Sequence, residues 1–590
     1  MLDRLRAATR AAFQPDFALL AVCAALPLLS LAGSPGSLLA DVHSEVPVKL
    51  WVFETFWRDG FFGGRIDSIG WPNAGSLNNP DPMGTLVTAL LRPALGRVWA
   101  YNTLIYAQLF ANMLAMRALL RTLVPSRWAA LHGAVAFALT PVVLMYCVAG
   151  AVTDMLNLWP WILALRSGLA SLRTGWRDGV VAGAWVGLGF VTCPYNAVVF
   201  SIVALPLIPF VNMLRTHGAS TTKAPTPAPW GRVAGALGAV ILASALVAGP
   251  YALRMRQLMT ADDSQMSDDM IAATRNVAPF PYLAPANRDR YTAFLSDYVA
   301  VGKDKLLSRE AGSRYYRAFS PGLSLFALGL AAVVLQRRRL PVGMWWGVTL
   351  FCVAASIGPF TPITLTLASP TANNPVWLGL LRFWPGTALL QEPFRYAIPA
   401  ALGLAVCAAF GVDAIERRVG VGFGPLALAV WLTETIWLSP VPVPMPVAPL
   451  TISPAVFQLE TLLPPGAIIS LPYFDLGTDR FQRTHFLDQL IHGRPIADEV
   501  IGFPARYLKE NNYTAALLAA EKPYGRLKVE VKDPTRIEAD RGRLVSDGFI
   551  GILVDKAHFE SQTRYRAARD LLAPWGAPTT IAGIDVYLLK

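Results

Sequence analysis

Several acidic residues lie where an apolar stretch of the sequence ends, and they are the first candidates for chemistry. Asp41 directly follows the uncharged run 17–40, and His43 and Glu45 come about one helical turn later. If the run crosses a membrane, the Asp41 carboxylate lies at the boundary, where partial removal from water suits a general base. Alternatively, Asp41 caps a helix over 42–58 whose apolar face lies on the bilayer.

Two further carboxylates, those of Asp154 and Asp81, can likewise have either a functional or a structural role. Asp154 lies at the mouth of a later apolar segment, beside Trp159 and Trp161. An acidic residue at membrane depth is a functional candidate, and the aromatic rings can stack on a ligand or simply occupy the membrane interface. Asp81 ends the turn-rich passage 71–81, which can wrap a polar ligand or serve as a plain connector.

The composition decides what kind of protein carries these residues. Of the 590 residues, 54% are hydrophobic and only 15% are charged, whereas soluble proteins carry about 25% charged residues. The five cysteines lie in apolar stretches without a CxxC motif, so neither a disulfide framework nor a zinc site is expected. The net charge of +12 comes from short basic clusters between apolar runs, which is typical of membrane topology signals and argues against a nucleic-acid partner.

The uncharged runs predict a mainly α-helical polytopic membrane protein with about 11 transmembrane helices. Basic residues fall on alternate loops, which predicts a cytoplasmic N-terminus and an extracytoplasmic C-terminus. We therefore expect a transmembrane domain over 1–440, with outer loops at 41–97 and 254–317, and a soluble extracytoplasmic α/β domain over 441–590. Its predicted elements are strands at 467–474, 549–555 and 584–589 and helices at 483–492, 505–521 and 561–574.

The order of these features resembles the GT-C superfamily of integral membrane glycosyltransferases, in particular its bacterial multi-span branch with a C-terminal extracytoplasmic domain. Asp41 is followed by WVFETFWRDGFF and by GWPNAGSLNNPDPMGTLVTALLRPALG. The similarity continues with AGAVTDMLNLWPWILAL at 149–165 and QEPFRYAIPAALGLAVCAAFGVDAI at 391–415. In the tail, IISLPYF and HFLDQLIHGRPIADE extend it over nearly the whole length.

This resemblance implies a sugar transfer at the outer face of a bacterial inner membrane. The donor would be a polyprenyl-phosphate sugar, and the acceptor a lipid, a glycan or a protein. Asp41 becomes the candidate base, with Glu45 assisting it, and Arg395 the candidate ligand of the donor phosphate. Alternatively, Arg395 reaches the headgroups or pairs with Glu392. The predicted substrate-binding residues are Arg395, Asp154, Asp81, His43 and Glu392.

One departure from the family leaves the metal question open. Many members carry a tighter acidic pair in the first loop, whereas here Asp41 is followed by Glu45, Asp67 and Asp81. Such oxygen ligands suit Mg²⁺ or Mn²⁺, but their spacing is not diagnostic. A metal site, if the protein has one, is expected at Asp41, Glu45 and Asp67.

Two other functions compete with the transferase. A transporter or flippase for a lipid-linked intermediate would favour paired charges deep in several spans and an internal repeat, and neither is evident. A noncatalytic subunit of an envelope assembly stays open because the first-loop acidic motif is altered. The sequence contains no P-loop and no GxSxG motif, so ATP-driven transport and serine hydrolysis lack their signatures.

Overall fold

The computed structural model shows a chain built mainly of α-helices, with short strands and one four-stranded sheet. It describes all residues except 1–14, 42–43, 74, 219–227, 262–292, 299–318, 337–339, 365–367, 385, 388–389, 391, 451, 453, 474–483, 501–505, 522–528, 560 and 590. The helices are α1 (Pro15–Ala25), α2 (Val46–Asp59), α3 (Pro82–Leu123), α4 (Arg127–Ala138), α5 (Trp159–Thr174), α6 (Trp176–Thr192), α7 (Pro194–Gly218), α8 (Trp230–Met259), α9 (Leu323–Leu335), α10 (Leu340–Ser356), α11 (Pro375–Phe383), α12 (Ala397–Val419), α13 (Phe423–Trp437), α14 (Pro454–Leu462), α15 (Thr484–His492), α16 (Arg506–Glu510), α17 (Asn512–Glu521), α18 (Ile537–Ser546) and α19 (Gln562–Leu572). The strands are β1 (Ser37–Leu38), β2 (Gly63–Ile66), β3 (Gly75–Asn78), β4 (Phe360–Pro362), β5 (Ala368–Ala372), β6 (Ala448–Pro449), β7 (Ala467–Leu471), β8 (Phe549–Asp555), β9 (Thr579–Ile581) and β10 (Ile584–Leu588).

Several helices are long and apolar enough to cross a bilayer. Among the described residues, four segments meet this test by length and composition, namely Pro15–Ala32, Pro82–Leu123, Trp230–Met259 and Pro393–Val419. A fifth is Arg127–Ala138 together with Val143–Ala149, if this pair, bent by 49°, is one span. The chain is therefore a multi-pass membrane protein. The sequence-based count of about 11 spans stays a prediction.

The chain divides into two compact units. The first unit comprises Met1–Val42, Ala94–Ala252 and Ala272–Ala448, and the second comprises His43–Pro93, Leu253–Ile271 and Pro449–Lys590. The sequence did not predict that the first outer loop groups with the C-terminal segment. The predicted boundary at 440/441 stays a prediction.

Helix α12 forms the core of the first unit. It is buried along nearly its whole length and contacts α4, α9 and α10. Its small residues allow this close packing: a Cβ added at Gly411 would collide with the backbone oxygen of Leu328, and one at Gly403 would lie 2.5 Å from Thr349 Oγ1. Close approach through small residues is how membrane helices gain van der Waals contact.

The N-terminal span ends earlier than its composition predicts. Helix α1 continues as a 3₁₀-helix over Leu26–Ala32 and then stops, because the Gly33, Pro35 and Gly36 that follow favour a turn. Residues 33–40 therefore separate the span from Asp41, which the sequence analysis placed directly at its end. Asn102 fixes this stretch, since its side chain accepts from Leu39 N at 2.9 Å and donates to Ser37 O at 3.0 Å.

Helix α2 differs from its prediction in its start. It begins at Val46 with Glu45 at the N-cap position, so Asp41 does not cap it. Proline at position 47 fits the first helical turn, which explains the later start. Its residues from Val46 to Phe56 are mostly buried, and it contacts α15 of the second unit. An apolar face of α2 on the bilayer stays a prediction.

The second unit contains a mixed sheet in the order β7-β8-β10-β9. Strands β7 and β8 run parallel, and β10 pairs antiparallel with both β8 and β9. Its apolar core includes Ile469, Leu517, Ile552 and Tyr587. The predicted helix over 505–521 is two helices, because Asn511 Oδ1 accepts from Thr514 N at 3.0 Å and starts α17 anew.

Candidate functional site

The most unusual polar group in the first unit is the buried guanidinium of Arg395. It lies on the 3₁₀-helix Pro393–Tyr396, which leads directly into α12, and it is 7% exposed. Its Nε donates to Tyr146 Oη at 2.9 Å, and its Nη2 lies 2.7 Å from Glu392 Oε2. Tyr146 Oη in turn donates to Glu392 Oε2 at 2.6 Å. Arginine, tyrosine and glutamate thus form a closed triangle.

Aromatic rings complete the surroundings of this cation. The Arg395 guanidinium carbon lies 4.2 Å from the ring centre of Tyr195 and 5.7 Å from that of Tyr146. Such cation–π contacts stabilise a cation most where water is excluded. A buried charge needs this much compensation, since removing it from water costs several kcal/mol. The structure thus shows the pairing of Arg395 with Glu392, while the role of Arg395 toward a donor phosphate stays a prediction.

One nitrogen of Arg395 stays without a partner. Nη1 is buried and makes no hydrogen bond to any residue that the structure describes. A buried donor left unsatisfied costs about 1–3 kcal/mol, and more when it is charged. Charge-assisted bonds from guanidinium to phosphate or carboxylate oxygens are among the strongest hydrogen bonds in proteins. An anionic oxygen would therefore be the strongest partner for Nη1.

The chain positions Tyr146 by an unusual local fold. Helix α4 ends at Ala138, and after Thr140 and Pro141 the chain continues as a π-helix over Val143–Ala149 that is fully buried. π-Helical turns are rare and occur frequently at functional sites. The sequence analysis missed Tyr146 and Tyr195; the proline at 141, inside an uncharged run, was the available signal for the first.

Asp41 adjoins the same π-helix. Its backbone N–H donates to the backbone oxygen of Ala149 at 2.9 Å. Asp41 is partly exposed, and its bonding partner lies three positions after Tyr146 on the chain. The first unit thus ties the predicted base to the segment that carries the Tyr146–Arg395 contact.

Asp154 lies in a tightly fixed segment of the first unit. It is 5% exposed, on the 3₁₀-helix Thr153–Leu156, and the thiol of Cys193 lies 3.5 Å from its Oδ2. Three amide side chains hold this segment. Gln108, Asn112 and Asn196 donate to Asn157 Oδ1, Leu156 O and Met155 O, respectively.

The tryptophans beside Asp154 have structural contacts. Trp161 is 1% exposed, and its ring stacks on Phe200 with centres 6.0 Å apart. Trp159 packs edge-to-face on Trp185 at 5.7 Å. Of the two alternatives that the sequence left open for Trp161, these contacts favour packing.

The remaining predicted residues lie in the second unit or outside the described residues. His43 is outside them. Asp67 is exposed and its Oδ1 lies 2.9 Å from Arg65 Nε, so it is already paired. Asp81 is fully buried and caps α3, because its Oδ1 accepts from Gly84 N at 2.8 Å. Within the described part of the chain, no three His, Cys, Asp or Glu side chains are grouped to hold a metal ion.

The cap predicts a stability effect for Asp81. Replacing Asp81 with Ala should lower the free energy of unfolding by about 1–2 kcal/mol, since the amides of the first turn of α3 lose their acceptor. Thermal unfolding in detergent measures this. The matched control is Asp67→Ala, which breaks only an exposed ion pair worth about 0–1 kcal/mol. Equal midpoints for the two variants would contradict the capping role.

The triangle predicts an effect of similar size for Tyr146. Tyr146→Phe keeps the ring beside Arg395 but removes the hydroxyl that joins Arg395 to Glu392. We expect the free energy of unfolding to fall by about 1–3 kcal/mol, because buried polar groups lose a partner. The control is Tyr106→Phe, since the Tyr106 ring stacks on Phe110 with centres 6.2 Å apart and its hydroxyl has no hydrogen bond to a residue that the structure describes. A midpoint for Tyr146→Phe no lower than that of the control would contradict the described contacts.

The architecture of the chain is similar to that of solved membrane glycosyltransferase structures. No protein-family model matches the chain, and no curated protein matches it. Among solved structures, arabinofuranosyltransferase AftD from Mycobacteria is similar, with 13% identity and a TM-score of 0.54 over 97% of this chain and 41% of AftD. The Archaeoglobus fulgidus oligosaccharyltransferase has 11% identity and a TM-score of 0.47 over 91% of this chain and 69% of its own. ArnT from Cupriavidus metallidurans, solved with undecaprenyl phosphate, has 13% identity and a TM-score of 0.38 over 98% and 97%.

The similarity to AftD concerns the fold alone, since the identity is 13%. The chain spans less than half the length of AftD, the one of the three with a TM-score above 0.5. The resemblance predicted from the motifs is thereby confirmed at the level of architecture. This chain has the fold of the GT-C superfamily of membrane glycosyltransferases.

Proposed function

We propose that this chain is a membrane glycosyltransferase that moves a sugar from a polyprenyl-phosphate donor to a lipid, glycan or protein acceptor. Asp41 acts as the general base and Arg395 binds the donor phosphate. The observation that carries the proposal is the buried Nη1 of Arg395, which has no partner among the described residues and suits an anionic oxygen.

The chemistry assigns one role to each group. The Asp41 carboxylate accepts the proton of an acceptor hydroxyl as the hydroxyl oxygen attacks the anomeric carbon of the donor sugar. The bond between that carbon and the phosphate oxygen breaks, and the phosphate leaves with the electron pair. Arg395 Nη1 donates to a phosphate oxygen whose negative charge grows in the transition state, which lowers the barrier.

The surroundings of Arg395 support this role. Its other nitrogens are held by Tyr146 and Glu392, so the side chain is fixed before any ligand arrives. A preorganised donor does not need to be reoriented during the reaction, and in a site without water its effect is large. The bond from Asp41 N to Ala149 O adds a second fixed group on the segment that carries Tyr146.

Other predicted residues have narrower parts in this proposal. Asp154, in its clamped segment, remains a candidate for the sugar hydroxyls, and Glu392 orients Arg395. Glu45 and His43 stay predictions as substrate or base-assisting residues, and Asp81 serves first as a helix cap. A divalent cation at Asp41, Glu45 and Asp67 stays a prediction.

The proposed location follows from the basic loops of the sequence. The N-terminus would be cytoplasmic, the membrane the bacterial inner membrane, and the C-terminal segment with the reaction on its outer side. AftD is named as an arabinofuranosyltransferase. From that likeness we adopt only sugar transfer and leave the sugar open.

A reconstituted assay tests the proposal. Purified protein in nanodiscs would receive polyprenyl-phosphate sugars with an isotope label and an envelope extract as acceptor. Mass spectrometry should find labelled product together with free polyprenyl phosphate. Donor that crosses the bilayer of proteoliposomes uncleaved would instead support the flippase. If the protein alone neither cleaves the donor nor moves it across the bilayer, and transfer appears only when envelope proteins are added, the result would support the noncatalytic subunit.

A further inference from the structure

The C-terminal segment binds the backbone of the first outer loop within the second unit. Gly70 N donates to Asp498 O at 2.8 Å, Trp71 N donates to Ile496 O at 3.0 Å, and Ile496 N donates to Ser68 O at 3.1 Å. Three backbone hydrogen bonds over four loop residues thus join 68–71, a stretch of bends and a turn, to residues 496–498.

Residues 495–498 also connect to the main sheet of the second unit. Ile468 of β7 forms a parallel bridge with Ile496, and Ile468 N donates to Pro495 O at 2.9 Å. Residues 495–498 therefore lie between β7 and the first loop. The loop residues that they bind lie more than 400 positions earlier in the same chain.

Trp71 anchors the loop to a second part of the C-terminal segment. Its indole Nε1 donates to Asp547 O at 2.7 Å. The residue after Asp547 is Gly548, whose φ is 85°, and a Cβ there would lie 3.2 Å from the Trp71 ring. Glycine thus supplies both the left-handed backbone and the space for the ring.

Trp51 provides a third connection through helix α2. Its Nε1 donates to Gln489 Oε1 at 2.8 Å, and its ring packs edge-to-face on Phe486 with centres 5.5 Å apart. Trp51 is 0% exposed and Gln489 is 3% exposed. Both partners lie on α15, which is tied to residues 495–498 because His485 Nδ1 lies 3.3 Å from Asp498 Oδ1.

We propose that the C-terminal segment is a positioning element for the first loop, with residues 484–498 and 547–548 as the surface that holds it. The surface fixes both ends of a stretch that runs from Trp51 to Trp71. Helix α2 begins at Val46, five residues after Asp41 in the sequence. The consequence for catalysis, but not the structural role, rests on the function proposed above.

Hydrogen–deuterium exchange of the full-length protein in detergent tests the structural role. Gln489→Leu removes the acceptor of Trp51, and Trp71→Phe removes the donor to Asp547 while keeping a ring. Each variant should raise exchange about tenfold in the peptide that it anchors, 44–58 for Gln489→Leu and 68–73 for Trp71→Phe, which corresponds to one lost buried hydrogen bond. The matched control is Trp57→Ala on the same helix, whose ring is 53% exposed and which should leave both peptides unchanged. Exchange in both anchor variants equal to that in Trp57→Ala overturns the proposal.

A kinetic comparison tests whether the positioning serves the reaction. Gln489→Leu should lower kcat about tenfold with the donor KM within about twofold, because donor contacts remain while the base is less well placed. Gln489→Glu keeps an acceptor oxygen and should restore most of kcat. Loosened exchange with unchanged kcat overturns positioning for catalysis. If the native protein transfers no sugar, the proposed function fails, and the exchange data alone decide the structural role.

Discussion

Replacing Asp41 with Asn is expected to lower kcat by about 10²–10⁴-fold, the range that a lost general base produces. Asparagine has nearly the same shape, and the backbone bond from residue 41 to Ala149 O stays intact. The amide cannot accept the proton of the acceptor hydroxyl, so the loss should appear in kcat. The KM for the donor should change little, since the side chain acts in the transition state. Steady-state transfer with labelled donor measures both constants.

The first loop offers a matched control for this substitution. Asp67→Asn removes a carboxylate that is exposed and paired with Arg65, and it should leave kcat within about twofold. Glu45→Gln separates a second role, because Glu45 occupies the N-cap position of α2 without a side-chain capping bond. A different outcome would identify Glu45 as the base. In that case Glu45→Gln would lower kcat by about 10²–10⁴-fold, and Asp41→Asn would stay active.

Replacing Arg395 with Met should lower kcat/KM by about 10²–10³-fold, as loss of a preorganised charge-stabilising donor does. Methionine fills part of the space but provides no donor to a phosphate oxygen. Both constants should change, since Nη1 would bind the donor in the ground state and more strongly as charge grows. Arg395→Lys keeps the positive charge but lacks the planar group that reaches Tyr146 and Glu392 together, so an intermediate loss is expected.

Two measurements distinguish a loss of phosphate binding in Arg395→Met from misfolding of the variant. Arg395→Met also leaves Glu392 without its cation, so thermal unfolding must be followed beside activity. The matched control is Arg382→Met, because the Arg382 side chain is exposed and lies over the ring of Phe383. Binding of polyprenyl phosphate alone should weaken in Arg395→Met and not in Arg382→Met. Equal binding by both would refute the phosphate role of Arg395.

Local sequence patterns located the regular elements of the C-terminal segment well. The predicted strand 549–555 coincides with β8, and the predicted helix 483–492 differs from α15 by one residue. Alternating apolar residues fix a strand and helical spacing fixes a helix without reference to distant residues. The same signals could not show that α2 is buried, because the sequence pattern of an apolar helix is the same whether the helix packs against lipid or against protein.

The site was only partly predictable for the same reason. Asp41 and Arg395 could be proposed because each ends or begins an apolar run and stands within a family motif. Neither the end of an apolar run nor a family motif distinguishes Tyr146 and Tyr195. They contact Arg395 although they lie 249 and 200 positions before it in the chain. The break after α4 and the π-helix that carry Tyr146 depend on packing, which local propensity does not encode.

Cells that lack the gene and are supplied with the native protein or with Asp41→Asn at matched protein level would show whether Asp41 acts as the base of a sugar transfer. Mass spectrometry would compare envelope glycans and polyprenyl-linked sugars among these strains. The account predicts that deletion and Asp41→Asn remove the same sugar unit and accumulate its lipid-linked donor. If Asp41→Asn restores the glycans as fully as the native protein does, Asp41 is not the base and the transferase mechanism proposed for this site is contradicted.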